Sequence, residues 1–108
     1  METGGKMKKK TAKLRKLEKN RYSILTKDLE HCWLCGKSPV DIHEIYGGAN
    51  RKISMANGFC IPLCRQHHEV ATNESVMSMF LKELCQQAFE ETHSREEFMS
   101  LIGKNYRK

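Results

Sequence analysis

The chain has 108 residues, 39% apolar and 30% charged, with five cysteines and a formal net charge of +6. That length allows one small domain with a thin core, of the kind that usually needs a metal or disulfide staple. No run of 18 apolar residues is present, which excludes a membrane-spanning helix. The basic start lacks the apolar stretch of a secretory signal, so an intracellular, reducing setting is expected. Clustered cysteines then read as metal ligands before disulfides, and an odd count agrees.

Residues 1–22 carry nine Lys/Arg (Lys6, Lys8, Lys9, Lys10, Lys13, Arg15, Lys16, Lys19 and Arg21) against Glu2 and Glu18, a net +7. The other 86 residues hold ten basic and eleven acidic side chains. The positive charge therefore belongs to an arm, and the domain over 23–108 is near neutral. Such an arm suits a polyanion, because each lysine near a phosphate adds salt-sensitive, sequence-blind affinity. The alternative is a solubilising tail.

Residues 1–10 are rich in Gly and Lys and are expected to be disordered. Leu14 and Leu17 among basic residues predict a helix from Thr11 to about Tyr22, with a narrow apolar face. Residues 23–39 read as short extended pieces around the turn Cys32-Trp33-Leu34-Cys35-Gly36-Lys37. Residues 40–46 alternate apolar and polar side chains, the period of a half-buried strand, and Gly47-Gly48 end it. A loop containing Arg51 and Lys52 is expected through Gly58. Residues 59–63 read as a second strand, with Pro62 at an edge because proline donates nothing to a ladder.

Cys64 opens a helix carrying His67 and His68. The clearest helix spans 75–93, with Val76, Met79, Phe80, Leu84, Ala88 and Phe89 as its apolar stripe. A capping box at Ser94–Glu97 starts a last helix over 94–103, ended by Gly103.

Cys32 and Cys35 are two residues apart, and Cys64 and His67 repeat that spacing after a gap of 28. Two such knuckles supply the four ligands of a closed tetrahedral zinc, which holds a fold together and does no chemistry. A variant set replaces His67 with Cys60, whose strand position aims it away from the knuckle. Cys85 on the long helix reads as core. His43 and His68 remain over once zinc is satisfied.

With these parts in place, residues 30–73 resemble the HNH, or ββα-metal, endonucleases. The likeness rests on Cys32-x-x-Cys35, on Ile42-His43-Glu44-Ile45 and on Ile61-Pro62-Leu63-Cys64-Arg65-Gln66-His67-His68. Segments at 47–52 and 94–98 are also similar to small phage-encoded proteins of that class. The resemblance implies a small α+β fold, a zinc-stapled ββα-metal core with added N- and C-terminal helices. It implies a structural zinc on Cys32, Cys35, Cys64 and His67, and a catalytic Mg²⁺, Mn²⁺ or Zn²⁺ on His43 and His68. Its partner would be DNA, its activity phosphodiester hydrolysis, and its location the cytoplasm of a bacterial or phage-infected cell.

The family's first strand carries a pair of residues, one binding metal and the next acting as base. Aligned strictly, His43 is the ligand and Glu44 takes the place of the base. Alternatively His43 is the base, which suits an imidazole near neutral pH, and Glu44 helps hold metal. Period-2 geometry puts Asp41 on the face of His43, where it would orient that imidazole. The family's loop asparagine would be Asn50 or Asn57, and Asn73 on the following helix could reach the ion, each competing with a turn or cap role. Arg51 and Lys52 would grip a phosphate, with Lys8, Lys9, Lys10, Lys13, Arg15 and Lys16 adding to the hold. Trp33 and Tyr46 read as packing around the zinc turn. The competing readings are a non-catalytic zinc-stapled DNA-binding module and an RNA-binding zinc ribbon.

Overall fold

The computed structural model describes residues 11–107. Among them are five α-helices, one 3₁₀ turn and a two-stranded antiparallel sheet, a small α+β arrangement. In chain order these are α1 (Ala12–Lys19), β1 (Asp41–Glu44), a 3₁₀ turn (Gly48–Asn50), α2 (Arg51–Asn57), β2 (Cys60–Leu63), α3 (Arg65–Asn73), α4 (Ser75–Phe89) and α5 (Arg95–Ile102). No helix among the described residues is long and apolar enough to cross a membrane.

The two strands pair with Asp41 opposite Leu63, Ile42 opposite Pro62, His43 opposite Ile61 and Glu44 opposite Cys60. Opposed residues share a face and successive residues alternate. Asp41 and His43 therefore lie on one face, and Ile42 and Glu44 on the other. Among the described residues β2 pairs only with β1, so Pro62 sits on an edge strand as its missing donor requires. Its carbonyl accepts from the Trp33 N–H at 2.8 Å, which pins the first knuckle beside β2.

The expected loop through Gly58 is instead the 3₁₀ turn and α2. The element forms because Ser54 and Met55 turn inward, both buried. Ser54 Oγ donates to the Tyr46 carbonyl at 2.7 Å and accepts from the Tyr46 N–H at 3.2 Å. Gly58 then ends the helix at φ +75°, the left-handed conformation that glycine enters without steric cost. Residues 23–39 hold no regular strand and run as turns and bends.

The core is aromatic at its centre. Tyr46 packs edge-on to Phe59 and Phe98, both at 5.5 Å between ring centroids, and Phe59 meets Phe89 at 5.4 Å. Edge-to-face contacts of this kind add to the gain from burying the rings. The Tyr46 hydroxyl reaches the Lys82 carbonyl at 2.6 Å, so its one polar atom is satisfied.

α4 departs from the expected stripe. Val76, Met79 and Phe80 are 81%, 44% and 49% exposed, and the buried side is Leu81, Cys85, Gln86 and Phe89. Gln86 is tolerated there because the C-terminal segment satisfies it: its amide donates to Asn105 and Glu90, and its carbonyl accepts from the Tyr106 N–H at 2.7 Å. α5 begins with the full Ser94–Glu97 capping box and ends at Gly103.

Glu90 gathers this end of the molecule, pairing with Arg95 at 3.2 Å and Arg107 at 2.6 Å. Arg95 leads in holding its carboxyl down to about 2; burial opposes, and Gln86 and Arg107 add to the lowering. A depressed carboxylate stabilises the fold above its unfolded pKa near 4.5 and loses that contribution as pH falls through about 2. Glu90→Gln should therefore lower the denaturation midpoint at neutral pH, with the gap to wild type closing as the pH drops through that range. Parallel urea titrations across pH check this.

Candidate metal centre and histidine pair

Two short stretches build the metal centre. In the first, Cys32 closes a tight turn, accepting from the Gly36 N–H at 2.7 Å and donating its own N–H to Lys37 at 2.8 Å. Gly36 sits at φ +77°, which the turn requires and a side chain would resist. In the second, Cys64 is the N-cap of α3 with extended backbone, and its carbonyl accepts from His68 N–H at 2.8 Å. An N-cap side chain lies beside the third residue of its helix, and that residue is His67.

The ligand atoms of Cys32, Cys35, Cys64 and His67 all lie within 4.8 Å of one another. Cys35 Sγ is 3.8 Å from Cys64 Sγ, and His67 Nδ1 is 3.5 Å from Cys32 Sγ and 3.3 Å from Cys64 Sγ. On a zinc tetrahedron, bonds of ~2.3 Å to sulfur and ~2.0 Å to nitrogen give edges of about 3.8 Å and 3.5 Å. The four residues thus fit a metal such as zinc in a closed shell.

Thiol chemistry separates Cys32 from the buried cysteines outside the cluster. Burial raises the Cys32 thiol, but the backbone N–H groups of Cys64, Cys35 and Leu34, with His67, outweigh it and bring it to about 6. Burial instead pushes Cys60 and Cys85 up to about 12. Both stay protonated at neutral pH, and thiolate is the form that binds metal. Cys60 Sγ faces the Ser54 carbonyl at 3.7 Å. The variant set with Cys60 is not assembled, and His67 completes the cluster. Among the described residues it is the one group of three or more such ligands at metal-binding distances.

His68, one residue past the cluster, stands against His43 of β1. Their rings meet edge to face with centroids 5.2 Å apart. Asp41 bonds His68 Nδ1 at 3.2 Å and is also paired with Arg65 at 3.2 Å. The His68 bond leads in holding the Asp41 carboxyl below the usual range; burial opposes it and Arg65 reinforces it. The expected orientation of His43 by Asp41 is therefore corrected: Asp41 orients His68. The reason is spacing, since side chains two apart on a strand stand ~6.6 Å apart, while His68 enters from α3 between them.

The His43 imidazole makes no hydrogen bond among the described residues. Burial first, then the charges of His68 and Lys82, push its imidazolium down to about 4 against the pull of Glu44. Its ring is neutral at neutral pH, the form that binds a metal or accepts a proton.

Glu44 lies on the opposite face of β1. It pairs with Arg21 and with Arg51, the latter at 3.1 Å, and Arg51 continues to Glu18 at 2.7 Å. Glu44 thus does not join the histidines, and Arg51, expected to grip phosphate, is committed to two carboxylates. Nothing in the sequence pattern signalled this network, whose members lie up to 33 positions apart. Lys52, Lys13, Arg15 and Lys16 are exposed. Lys6, Lys8, Lys9 and Lys10 lie outside the described residues. Asn50 donates to the Ile102 carbonyl at 3.1 Å and Asn57 to the Ile53 carbonyl at 2.9 Å, both structural ties, and Asn73 is exposed at the end of α3.

Comparison with known protein families, with curated proteins and with solved structures finds no match to the chain.

The cluster predicts one zinc per chain after expression in zinc-containing medium, measured by elemental analysis. Cys35→Ser or Cys64→Ser should abolish stoichiometric zinc and lower thermal stability, whereas Cys85→Ala should keep the metal. A strong chelator should melt the wild type at lower temperature.

Proposed function

We propose that the chain is a metal-dependent endonuclease that hydrolyses DNA phosphodiester bonds by an HNH-type mechanism, in the cytoplasm of a bacterial or phage-infected cell. The observation that supports it is the meeting of His43 and His68. A structural zinc module has no use for two further imidazoles facing each other beside a closed cluster.

The residues suit distinct tasks. Asp41 accepts a hydrogen bond from the Nδ1–H of His68, which fixes the ring and leaves Nε2 free, the arrangement by which carboxylates orient metal-binding histidines. His68 would hold the divalent ion, and the His43 ring stands beside it. Such an ion, when bound, stabilises charge on the phosphate and leaving oxygen. His43, neutral and unpartnered, would accept the proton of the attacking water as the new P–O bond forms and the sugar oxygen leaves. Exposed Lys13, Arg15 and Lys16 on α1 would supply salt-sensitive hold on the phosphate backbone.

A second reading, a zinc-stapled DNA-binding module without catalysis, is favoured by Glu44. The residue in line for the base is occupied by Arg21 and Arg51, and no third ligand stands close enough to the histidines to form a cluster among the described residues.

Zinc-loaded protein with magnesium or manganese should nick supercoiled plasmid. His68→Ala and His43→Ala should each slow nicking by ~10²-fold or more, with zinc content and circular dichroism unchanged. Plasmid binding without nicking under any divalent ion would decide for the second reading.

A further inference from the structure

Helix α1 does not trail from the domain. Leu14 and Leu17 are half-buried, and Glu18 is held by Arg51. Its docking against α2 leaves a cavity of about 410 Å³ with Leu17 and Met55 on its wall and Lys13 and Lys16 beside them. Neither lysine enters an ion pair among the described residues.

Tyr22 closes this cavity and also borders a second one of about 320 Å³, which continues past Ile24 to His93. The tyrosine is 47% exposed yet braced. Its hydroxyl reaches the Ala56 carbonyl at 3.3 Å. Its ring passes so close to Gly58 that an added Cβ there would lie 2.5 Å from Cε2. It stands as a braced aromatic fin shared by two cavities, with Lys13 and Lys16 on one side.

The dimensions fall in the range of about 300–1,000 Å³ that small organic groups fill. Two ammonium groups call for an anion, and a fixed aromatic ring beside an apolar wall calls for a flat ring next to that anion. A nucleotide unit has both parts, and the second cavity offers room for its neighbour. Proteins that hold single strands use this combination of basic groove and stacking platform.

We propose that the α1–α2 cavity and Tyr22 form a binding site for single-stranded DNA, with Lys13 and Lys16 on phosphate and a base stacked on Tyr22. The site lies with the elements bonded to Glu44, on the face of β1 opposite His43. It deepens the nuclease reading by making a strand with an unpaired segment the preferred substrate, and it rests on that reading only for the choice of DNA.

The test is fluorescence anisotropy of zinc-loaded full chain with a labelled oligothymidylate, without added magnesium or manganese. Tyr22→Ala should weaken binding by about 5- to 150-fold, the span of one lost base–aromatic stack, and Tyr22→Phe should bind nearly as wild type. Lys13→Ala with Lys16→Ala, both at exposed positions, should flatten the salt dependence by about 1.4 in log–log slope. That pair keeps the test sound if Tyr22→Ala loses its fold by circular dichroism. Single-strand binding unchanged in Tyr22→Ala, or a slope unchanged in the lysine pair, overturns the proposal. So does an equal loss on a DNA hairpin duplex, which would make the lysines a general phosphate grip. Tighter binding of oligouridylate would overturn the assignment to DNA. Because no cleavage is read, Tyr22-dependent binding together with an inert plasmid assay would sink the nuclease reading alone.

Discussion

Cys32, Cys35, Cys64 and His67 come from two stretches 28 residues apart, and their meeting within 4.8 Å holds the rest in place. One stretch is bonded through Trp33 to β2, and the other is the cap and first turn of α3. A metal shared between them would lock α3 against the sheet. That lock would set where His68 stands, one residue beyond the cluster, and so its meeting with His43. In a domain whose fully buried apolar centre is a handful of aromatic and aliphatic side chains, one closed metal shell contributes on the scale of folding itself.

The two faces of β1 divide the labour. Asp41 and His43 look toward α3, where a carboxylate, two imidazoles and the neighbouring Cys/His cluster meet. Glu44 looks the other way and accepts from two arginines, one following α1 and one opening α2. The chain Glu18–Arg51–Glu44–Arg21 is part-buried, alternates in sign and joins three elements. Members of such a network fail together, since removing one leaves the next partly buried and unpaired. The basic N-terminal helix is thereby a positioned part of the molecule, bonded behind the strand that carries His43.

The knuckles, both strands, α1, the capping box of α5 and the inward role of Cys85 were legible because each depends on local spacing. Cys-x-x-Cys and Cys-x-x-His need no knowledge of the fold, and a capping box is closed within four residues. What stayed hidden depends on distant partners. Residues 51–57 carry no apolar period, and they form α2 because Ser54 satisfies Tyr46 across the chain. The first turns of the expected α4 stripe lie outside for a related reason, while Phe89 is buried as expected. Gln86 is buried where a hydrophobic residue is expected, since residues 105 and 106 return to bond it. That leaves Val76 and Phe80 outside. Period-2 reasoning put Asp41 and His43 on one face correctly, but the register of α3 decided which histidine took the carboxylate.

X-ray absorption at the zinc edge of the zinc-loaded chain tests the organising cluster most directly, because it counts ligand types around the metal. Three sulfurs at ~2.3 Å and one nitrogen at ~2.0 Å are expected. A shell of four sulfurs would mean that Cys60 has displaced His67, and an oxygen-rich shell would mean that the knuckles do not close. The first result would free His67 and with it the placement of His68, and the second would release α3 from the sheet; either removes the reason for His43 and His68 to meet.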